Sequence, residues 1–349
     1  MSQGSERTGY TYNPEERAHQ SPGHPEGPHR LEAVRWTLAQ DGLLERLRSV
    51  EATPAELRHI QAVHSERYVA QVQTLAERGG GHLDPDTYVC AGSFDAALTA
   101  AGGVISLTDA VLAGRIRNGM ALVRPPGHHA RPAHGMGFCI FNNVAVAASF
   151  ALQQHQLERV LILDFDVHHG NGTQEVFYND PRVLFVSTHE YPFYPGSGHW
   201  SEIGVDEGKG FTVNIPVPHR TGDRGILRVY DEVIIPLAER YRPQLILVSA
   251  GYDAHWQDPL AMLNFSIEGY AEIVRRIVSL ADALCEGRLV VVLEGGYQPE
   301  VLAHAVLTTL RILIDPQSPV SDPFGPAPTQ DEPSLDDLIR QVREIHHLS

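Results

Sequence analysis

Residues 160–172 have the sequence VLILDFDVHHGNG, and this stretch decides the fold class. Four aliphatic residues come first, and aspartates, histidines and glycines follow almost without a break. A short apolar run of this kind is typical of a strand buried on both faces, as the strands of parallel sheets are. Polar residues directly after such a strand lie at its carboxyl end, where open parallel sheets bind ligands. The stretch therefore predicts a parallel sheet with a functional edge.

Further apolar runs of the same character lie on both sides of this stretch. They predict strands at residues 120–123, 183–186, 211–215, 245–248 and 289–293, in addition to 160–163. Helical patterns separate them at residues 93–112, 143–154, 224–241 and 267–285. Strands that alternate with helices predict a parallel sheet covered by helices. The expected fold class is α/β.

Metal-binding, acidic or glycine-rich residues follow five of these strands. The segments are RPPGHH at 124–129, DFDVHHGNG at 164–172, STH at 187–189, SAGYDAH at 249–255 and EGGY at 294–297. Because the carboxyl ends of parallel strands gather along one edge of the sheet, these segments are expected to meet there. The pattern predicts one composite active site.

The overall charge restricts the class of partner. The chain has 349 residues, a formal net charge of −16 and a single lysine, Lys209. Nucleic-acid binding depends mainly on neutralising phosphates, so we expect no nucleic-acid partner. An acidic surface suits a cationic substrate, although simple solubility explains it as well.

Cysteine spacing and hydropathy restrict the compartment. Cys90, Cys139 and Cys285 lie far apart and form no C-x-x-C pair, so we expect reduced core residues rather than disulfides or a thiolate zinc site. The polar N-terminus lacks the features of a secretory signal, and no stretch approaches the apolar run of a membrane span. We therefore predict a cytoplasmic location and no membrane contact.

The organisation of the chain changes near residue 316. We expect residues 1–315 to form a single domain, followed by a Pro-rich linker and a short terminal helix within 316–349. The helix is predicted to be N-capped near Ser334 and to dock on the body or on a second subunit, which would make a homo-oligomer. The adjacent His346 and His347 are expected to lie in solvent.

Three side chains form a candidate metal site. Asp166 and His168 are two residues apart in an extended segment, so both can face one ion, and Asp253 follows another strand. Three protein ligands with an open position for water are typical of a catalytic zinc site, and Fe²⁺ or Co²⁺ also fit. The plainer interpretation of Asp166 and His168 is a polar loop that caps the next helix. His255 is an alternative ligand.

An acid–base pair and a hydrogen-bond donor complete the predicted chemistry. His128 and His129 follow a rigid Pro-Pro-Gly turn; one imidazole would move the proton and the other would stabilise charge. Asp164 and Asn171 are natural partners for their second ring nitrogens. Tyr297, after two glycines, would donate a hydrogen bond to the substrate carbonyl oxygen as it gains negative charge.

Taken together, these motifs resemble the histone deacetylase and acetylpolyamine amidohydrolase superfamily. The resemblance is carried by RPPGHHA, GFCIFNN, DFDVHHGNG, VSTHE, SAGYDAH and LEGGY, in family order, between residue 24 and about residue 310. Asn171 stands where class I enzymes have aspartate, which points to the class II-like branch and to bacterial-type histone deacetylase-like amidohydrolases. The resemblance implies a deacetylase-like catalytic domain over 1–315. It also implies a three-layer arginase-like α/β fold with a mostly parallel eight-stranded sheet.

The resemblance also implies a role for each site residue. Asp166, His168 and Asp253 would hold one zinc ion, whose activated water is the nucleophile in hydrolysis of an acetyl or other acyl amide of lysine. His129 would be the general base and acid, His128 its electrostatic partner bonded to Asp164, and Tyr297 the oxyanion donor. A structural potassium ion is implied near a set of strand-end residues: Asp164, Asp166, His168, Ser187 and Thr188.

The resemblance further implies a narrow tunnel for the acyl-lysine stem. Gly137 and Phe138 would form one wall and Tyr194 another, with core packing as the plainer role of Phe138. Asp86 would hold the substrate backbone at the rim. Asp84 is an equally good candidate for that task, and either aspartate can be an ordinary turn residue.

Other functions remain open at this stage. An arginase-type binuclear manganese hydrolase needs a further carboxylate where this chain has Gly170, so one catalytic ion is favoured. A catalytically silent acyl-lysine-binding module would lack a ligand, the histidine pair or Tyr297, and none is missing. Protein and acetylpolyamine deacetylation are both possible; the short segment 79–94 favours an open mouth that admits acylated lysine in peptides or proteins.

Overall fold

An eight-stranded sheet forms the centre of the protein in the computed structural model, which describes residues 8–329 and 331–348. Its strands are β1 (Thr8–Tyr12), β2 (Arg48–Ser49), β5 (Asn118–Leu122), β6 (Val160–Asp164), β7 (Val183–Glu190), β8 (Thr212–Val217), β9 (Leu245–Ala250) and β10 (Leu289–Leu293). They are ordered β2-β1-β5-β10-β9-β6-β7-β8, and each neighbouring pair is parallel. The predicted α/β class and eight-stranded parallel sheet are confirmed.

Helices cover both faces of the sheet. They are α1 (His29–Asp41), α2 (Leu57–Gln61), α3 (Glu66–Glu77), α4 (Ser93–Leu112), α5 (Asn143–Gln154), α6 (Asn171–Phe177), α7 (Asp223–Val229), α8 (Ile235–Tyr241), α9 (Ile267–Cys285), α10 (Pro299–Ile314) and α11 (Asp336–Ile345). A separate antiparallel hairpin joins β3 (Gly80–Asp84) to β4 (Thr87–Cys90).

The alternation of side chains along each strand produces two hydrophobic cores. Leu161 and Leu163 of β6 belong to one cluster of buried residues, whereas Val160 and Ile162 belong to the other. Successive side chains of a strand point to opposite faces, so the sheet is apolar on both sides. Burying one such side chain contributes about 1.5–3 kcal/mol. The sheet is therefore a rigid support for the loops at its edges.

The predicted strands and three of the predicted helices agree with the structure, but one helix is interrupted and several elements were not predicted. All six predicted strands are present, and the helices at 93–112, 143–154 and 267–285 have the predicted bounds. The helix expected at 224–241 is interrupted by a π-helical turn, Tyr230–Ile234. Strands β1 and β2 were missed because TGYTY and RS contain no apolar run; β1 is recognisable only from its pairing with β5.

Helix α4 is long and apolar, but it contains Asp95 and Asp109 and so is not an uncharged apolar run. This helix of 20 residues has a mean hydropathy of 1.3, which satisfies the length and composition of a span. However, 67% of the apolar window is buried within the fold, and core helices of globular proteins satisfy the same criterion. The apolar character of α4 is explained by its packing against α5 and the sheet.

Helix α11 docks on the body of the protein beside β8. Ile339 is 3% exposed and Val342 is fully buried, and both belong to the larger hydrophobic core. Arg240 of α8 donates hydrogen bonds to the carbonyl oxygens of His346 and His347. The prediction that both histidines lie in solvent is wrong for His346, which is only 3% exposed, because the helix end folds back onto the body. His347 is exposed.

Candidate active site

Asp166, His168 and Asp253 meet at the carboxyl ends of β6 and β9. His168 Nδ1 lies 3.2 Å from Asp166 Oδ1 and 3.4 Å from Asp253 Oδ2. One potential ligand atom from each of the three residues lies within 4.8 Å of the others. Both aspartates are buried, and His168 is 12% exposed at its side chain. The sequence separation of 85 residues or more between Asp253 and the other two is thus closed by the pairing of β6 with β9.

Backbone amides orient the two carboxylates. Gly295 N donates to Asp166 Oδ2 over 2.8 Å, and Val167 N donates to Asp253 Oδ1 over 3.0 Å. A Cβ atom added at Gly295 would overlap the carboxylates of both aspartates. The first glycine of EGGY is therefore required because the backbone approaches the carboxylates so closely.

The three side chains fit a divalent cation. Asp253 Oδ2 is buried and has no hydrogen-bond donor in good geometry among the described residues. Burial and the nearby Asp166 carboxylate raise the pKa of Asp253. Two buried carboxylates facing each other need a positive charge between them. The donor set of two oxygens and one imidazole nitrogen is one that Zn²⁺, Fe²⁺ and Co²⁺ accept.

The two adjacent histidines lie beside this cluster, with ring centroids 4.0 Å apart. His128 Nδ1 lies 3.1 Å from Asp164 Oδ2, and His129 Nδ1 lies 2.8 Å from Asn171 Oδ1. The amide nitrogen of Asn171 points to Met136 Sδ, so its oxygen is the atom that faces His129. Because that oxygen only accepts, Nδ1 of His129 carries the proton and Nε2 is left as a basic nitrogen.

The two imidazoles have opposite tendencies to ionise. Burial disfavours the charged form of His128, but the carboxylates of Asp166 and Asp164 outweigh it and raise its pKa to about 10. Burial, followed by the positive charges of His128 and His168, holds the pKa of His129 well below its usual range. One ring is thus suited to carry charge and the other to accept a proton.

Tyr297 follows the end of β10 and lies close enough to Asp253 and Asp166 for their charges to act on its phenol. Asp258 Oδ2 accepts hydrogen bonds from the backbone of Tyr297 and of Gln298, at 2.7 and 3.3 Å. The guanidinium of Arg30 lies 4.9 Å from the centre of the Tyr297 ring. Arg30 also donates to the carbonyl oxygens of Glu294 and Gly296, at 2.6 and 2.7 Å. The buried Arg30 therefore stabilises the loop that carries the Tyr297 phenol.

Aromatic rings pack against His129 and Tyr297. The Phe138 ring packs edge-on against Tyr297, with centroids 5.6 Å apart, and Tyr194 packs edge-on against His129 at 5.2 Å. Gly137 is buried, and a Cβ there would overlap the His129 ring. Phe138 is only partly buried and belongs to neither hydrophobic core. These residues were predicted to form the tunnel walls, and the structure brings them together.

The two rim aspartates differ in their contacts. Asp84 Oδ1 accepts hydrogen bonds from the backbone of Asp86 and of Thr87, at 3.1 and 2.7 Å. The Asp84 side chain therefore stabilises the turn of the β3–β4 hairpin. Asp86 is exposed, and its side chain interacts with the Thr87 hydroxyl at 3.3 Å. Its carbonyl oxygen lies 3.1 Å from His24 Nε2, and the His24 ring in turn contacts Phe138.

The remaining predicted residues lie close to this cluster. Asp164 is paired with Ser187 across β6 and β7, and the Thr188 hydroxyl lies 3.5 Å from the Asp164 carbonyl oxygen. His255 is buried, and its ring contacts Trp256 and Phe324 instead of the Asp166 cluster. An added Cβ at Gly170 would overlap Asp164 Oδ2, which leaves no space for a further acidic side chain there.

The sequence analysis did not identify the buried charged residues that support the active-site loops. Glu294 Oε2 accepts from the backbone of Gly127 and His128, at 2.7 and 3.2 Å. Arg124, which is fully buried, is paired with the fully buried Glu16 and Glu26. The available signal was chemical: charged residues within otherwise apolar or turn motifs, such as Arg in RPPGHH and Glu in LEGGY, need buried partners.

The chain is similar to known proteins over most of its length. The model of the histone deacetylase domain family matches residues 24–313. The chain belongs to the histone deacetylase family. A probable deacetylase of Archaeoglobus fulgidus is 48% identical over 296 residues, which cover 84% of this chain and 82% of that protein. The crystal structure of the HDA15 HD domain superposes with a TM-score of 0.89 at 33% identity, and covers 98% of this chain and 94% of that one.

Histone deacetylase family membership makes the chain an amide hydrolase, and the family implies a metal ion. A further relative is the human polyamine deacetylase HDAC10, 40% identical over 315 residues, which cover 86% of this chain and 46% of that protein. Both a probable deacetylase and a polyamine deacetylase are thus similar to this chain.

Proposed function

We propose that this histone deacetylase family member is a zinc-dependent deacylase that hydrolyses N-acyl amides of lysine side chains. The observation that carries the proposal is the cluster of Asp166, His168 and Asp253, with His129 beside His168 and the Tyr297 phenol within reach of both carboxylate charges. Hydrolysis of an amide needs polarisation of its carbonyl, a base for the attacking water and an acid for the departing amine.

Asp166, His168 and Asp253 are the residues that would hold the zinc ion. When bound, the ion would supply Lewis-acid polarisation of the amide carbonyl and lower the pKa of a water molecule. Asp253 Oδ2 supports this assignment, since the buried oxygen meets hydrogen-bond geometry with no described residue and has the His168 ring 3.4 Å away.

His129 performs the proton transfers. Its Nε2 takes a proton from the attacking water as the carbon–oxygen bond forms, and delivers it to the amine nitrogen as the carbon–nitrogen bond breaks. The products are a carboxylic acid and a free amine. His128, bonded to Asp164, stays charged and stabilises the negative charge that develops on the former amide. Asn171 keeps the His129 ring in the required tautomer.

Tyr297 stabilises the oxyanion. Its pKa is well above the usual range, because burial outweighs the opposing effect of Arg30 and the nearby carboxylates Asp253 and Asp166 raise it further. The phenol therefore remains a hydrogen-bond donor across the working pH range. One donor of this kind contributes about 2.7–4 kcal/mol to transition-state stabilisation.

The aromatic entrance selects an unbranched amine stem. Phe138 and Tyr194 present rings on two sides of the approach to His129, which suits the methylene chain of lysine. The exposed Asp86 supplies an acceptor for the substrate backbone at the rim. Asp164, Asp166, His168, Ser187 and Thr188 form the proposed potassium site, where the pairing of β6 with β7 brings backbone oxygens together.

Acetylated polyamines are the second candidate substrate. The exposed Asp86 and the net charge of −16 favour a cationic substrate, and a relative is a polyamine deacetylase. Against this, only the short β3–β4 hairpin occupies residues 80–90, so the entrance is open enough for a peptide. Acylated lysine in peptides or proteins is therefore the first choice. The cytoplasmic location and a homo-oligomeric state belong to this proposal as predictions.

A turnover panel on zinc-loaded protein tests the proposal. It compares acetyl-lysine peptides, longer acyl-lysine peptides and acetylated polyamines, with Tyr297→Phe as the control that keeps the ligand set. We expect the highest kcat/KM on an acyl-lysine peptide and a large loss in the control. Faster hydrolysis of polyamines would select the second candidate. Stoichiometric zinc without turnover on any substrate would contradict hydrolysis and favour a silent acyl-lysine-binding module.

A further inference from the structure

A second cavity lies at the amino-terminal ends of β6, β7 and β8, at the opposite edge of the sheet from the Asp166 cluster. Its volume is about 660 Å³, which is within the range of small-molecule sites. The walls come from the residues before these strands, the end of α8 and the end of α11. We call it the basic cavity, because its lining includes Arg159, Lys209 and Arg240 together with His346 and His347.

Positive charge is concentrated in the basic cavity although the protein is strongly acidic. Lys209 is the only lysine in a chain with a net charge of −16, and it lines this cavity together with Arg159 and Arg240. Within the described part of the chain, the lining contains no aspartate or glutamate. Lys209 is exposed and forms no ion pair with a described residue. Arg159 is paired with Glu158 over 3.5 Å, so Lys209 and Arg240 are the cations that attract an anion.

His346 supplies a buried polar group that lacks a partner. It lines the cavity at 3% exposure, and neither ring nitrogen meets hydrogen-bond geometry with any described residue, although the Gly210 carbonyl lies nearby. Burial, together with the charge of Arg240, lowers the pKa of His346 to about 4, so the ring is neutral at pH 7. A neutral imidazole offers one N–H donor, and a buried donor without a partner is costly.

The inner wall of the basic cavity is apolar. Leu184 and Leu237 are buried, and the half-buried rings of Phe211 and Tyr241 pack edge-on with centroids 5.9 Å apart. Arg240 is fixed beside this wall because it donates to the carbonyl oxygens of His346 and His347. An apolar wall with cations at the rim matches a ligand that has an apolar body and an anionic head.

We propose that the basic cavity binds an organic anion with an apolar body, that is, a carboxylate or phosphate monoester on an alkyl chain or aromatic ring. Lys209 and Arg240 contact the anionic head, His346 donates one hydrogen bond to it, and Leu184, Leu237 and Phe211 contact the body. This site is separate from the deacylase site, so its occupant is neither the substrate nor the product of that reaction bound at the metal.

Isothermal titration calorimetry on the zinc-loaded full chain tests the proposal at pH 7.5. The probes are octanoate and phenyl phosphate, compared with inorganic phosphate, which lacks the body, and octylammonium, which has the opposite charge. We expect octanoate or phenyl phosphate to bind roughly tenfold more tightly than either comparison probe, a difference of about 1.4 kcal/mol. The preferred member of the first pair decides between carboxylate and phosphate heads.

Two variants locate the binding. Lys209→Gln should weaken the bound probe roughly tenfold, whereas the matched change Arg67→Gln, at an exposed position of α3, should leave the affinity within about twofold. His346→Leu replaces the polar ring by an apolar side chain of similar size under the helix end. It should weaken binding of the probe and leave the midpoint of thermal unfolding unchanged or slightly raised.

Three outcomes overturn the proposal. They are no binding of octanoate and phenyl phosphate at millimolar concentration, equal binding of octylammonium, and affinity that does not change in Lys209→Gln. The last of these, with competitive inhibition of turnover, would place the probe at the metal site instead. The calorimetry measures binding and not turnover, so a negative binding result leaves the deacylase proposal intact. Equally, absence of turnover on every acylated amine leaves the anion-binding proposal intact.

Discussion

The two edges of the same sheet differ in how deeply their charged groups lie. At the carboxyl edge, Asp166, Asp253 and His128 are at most 3% exposed, and each is surrounded by other ionisable groups. At the amino edge, the charged Lys209 and Arg240 are exposed, and the buried His346 ring is neutral at pH 7. Buried charges interact strongly and tolerate no loss of a partner, whereas exposed charges are weakened by solvent. Substitutions should therefore have large, specific effects at the carboxyl edge and small effects at the other.

The largest expected effect is that of Asp166→Ala. Removal of this carboxylate takes away a proposed ligand and leaves Asp253 and His168 unable to hold the ion, so bound zinc and turnover should fall together. The loss of several kcal/mol of transition-state stabilisation corresponds to at least about a thousandfold in kcat/KM. Metal analysis and acetate-release kinetics measure the two quantities. Asp337→Ala in α11 is the matched control and should retain both; full zinc content in Asp166→Ala would contradict the ligand assignment.

Glu26→Gln should have the next largest effect, on the free energy of unfolding. Glu26 Oε2 accepts from Arg124 at 2.8 Å, and both side chains are fully buried beneath the Pro-Pro-Gly turn. Breaking a buried ion pair while its partner stays buried costs about 3–5 kcal/mol. Denaturant unfolding at pH 7 measures this. A decrease in the free energy of unfolding of less than about 1 kcal/mol would show that the charge of Glu26 is not needed for stability.

The same variant predicts a pH dependence. Burial raises the pKa of Glu26, but Arg124 and His19 outweigh it and hold the pKa well below the ordinary 4.5. A depressed folded-state pKa means that the stabilisation is present above about pH 4.5 and is lost as the pH falls from there towards the folded-state value. The wild-type protein should therefore lose stability more steeply below pH 4.5 than Glu26→Gln. If the free energy of unfolding fell equally with pH in both proteins, ionisation of Glu26 would not contribute to the acid sensitivity.

Tyr297→Phe should reduce turnover while leaving the metal bound. The phenol hydroxyl acts only as the reaction proceeds, so the loss should be in kcat, by about 2.7–4 kcal/mol or 100- to 1000-fold. Zinc content should equal that of the wild-type protein, which separates this effect from that of Asp166→Ala. Wild-type kcat in the Phe variant would exclude the oxyanion role.

The smallest effect is expected at the amino edge, from Val342→Ala. Val342 is fully buried where α11 docks, and the loss of two methyl groups should cost about 1.6 kcal/mol. Because α11 contacts β8 and the π-helical turn but not the Asp166 cluster, kcat should stay within about twofold of the wild-type value. Hydrogen exchange should show faster opening of residues 336–345 alone. A comparable loss of kcat would show that the two edges are coupled.

Much of the fold was predictable because it depends on local patterns. The alternation of apolar runs and helical patterns identified six of the eight strands and three helix bounds without error. The residues after those strands are also local signals, so the members of the Asp166 cluster and their neighbours could be named in advance. The short edge strand β2 could not, since RS becomes a strand only through its pairing with β1.

The supporting groups could not be predicted, because they depend on contacts between distant segments. Arg30 holds the carbonyl oxygens of Glu294 and Gly296 from a helix more than 260 positions earlier in the chain. Asp258 orients Tyr297 from a loop after another strand. The burial of His346 likewise arises from the docking of a terminal helix that a sequence pattern leaves free to lie in solvent.

The sequence by itself determined the α/β class, the parallel strands and the side chains that gather at the carboxyl edge. These follow from hydrophobic periodicity and from the rule that parallel strands end on the same side. Only the tertiary structure decided which charges are buried, which nitrogen of His129 is basic and that a basic cavity forms at the amino edge. Burial and hydrogen bonding are set by the distances between segments far apart in the chain, and those distances exist only after the chain has folded.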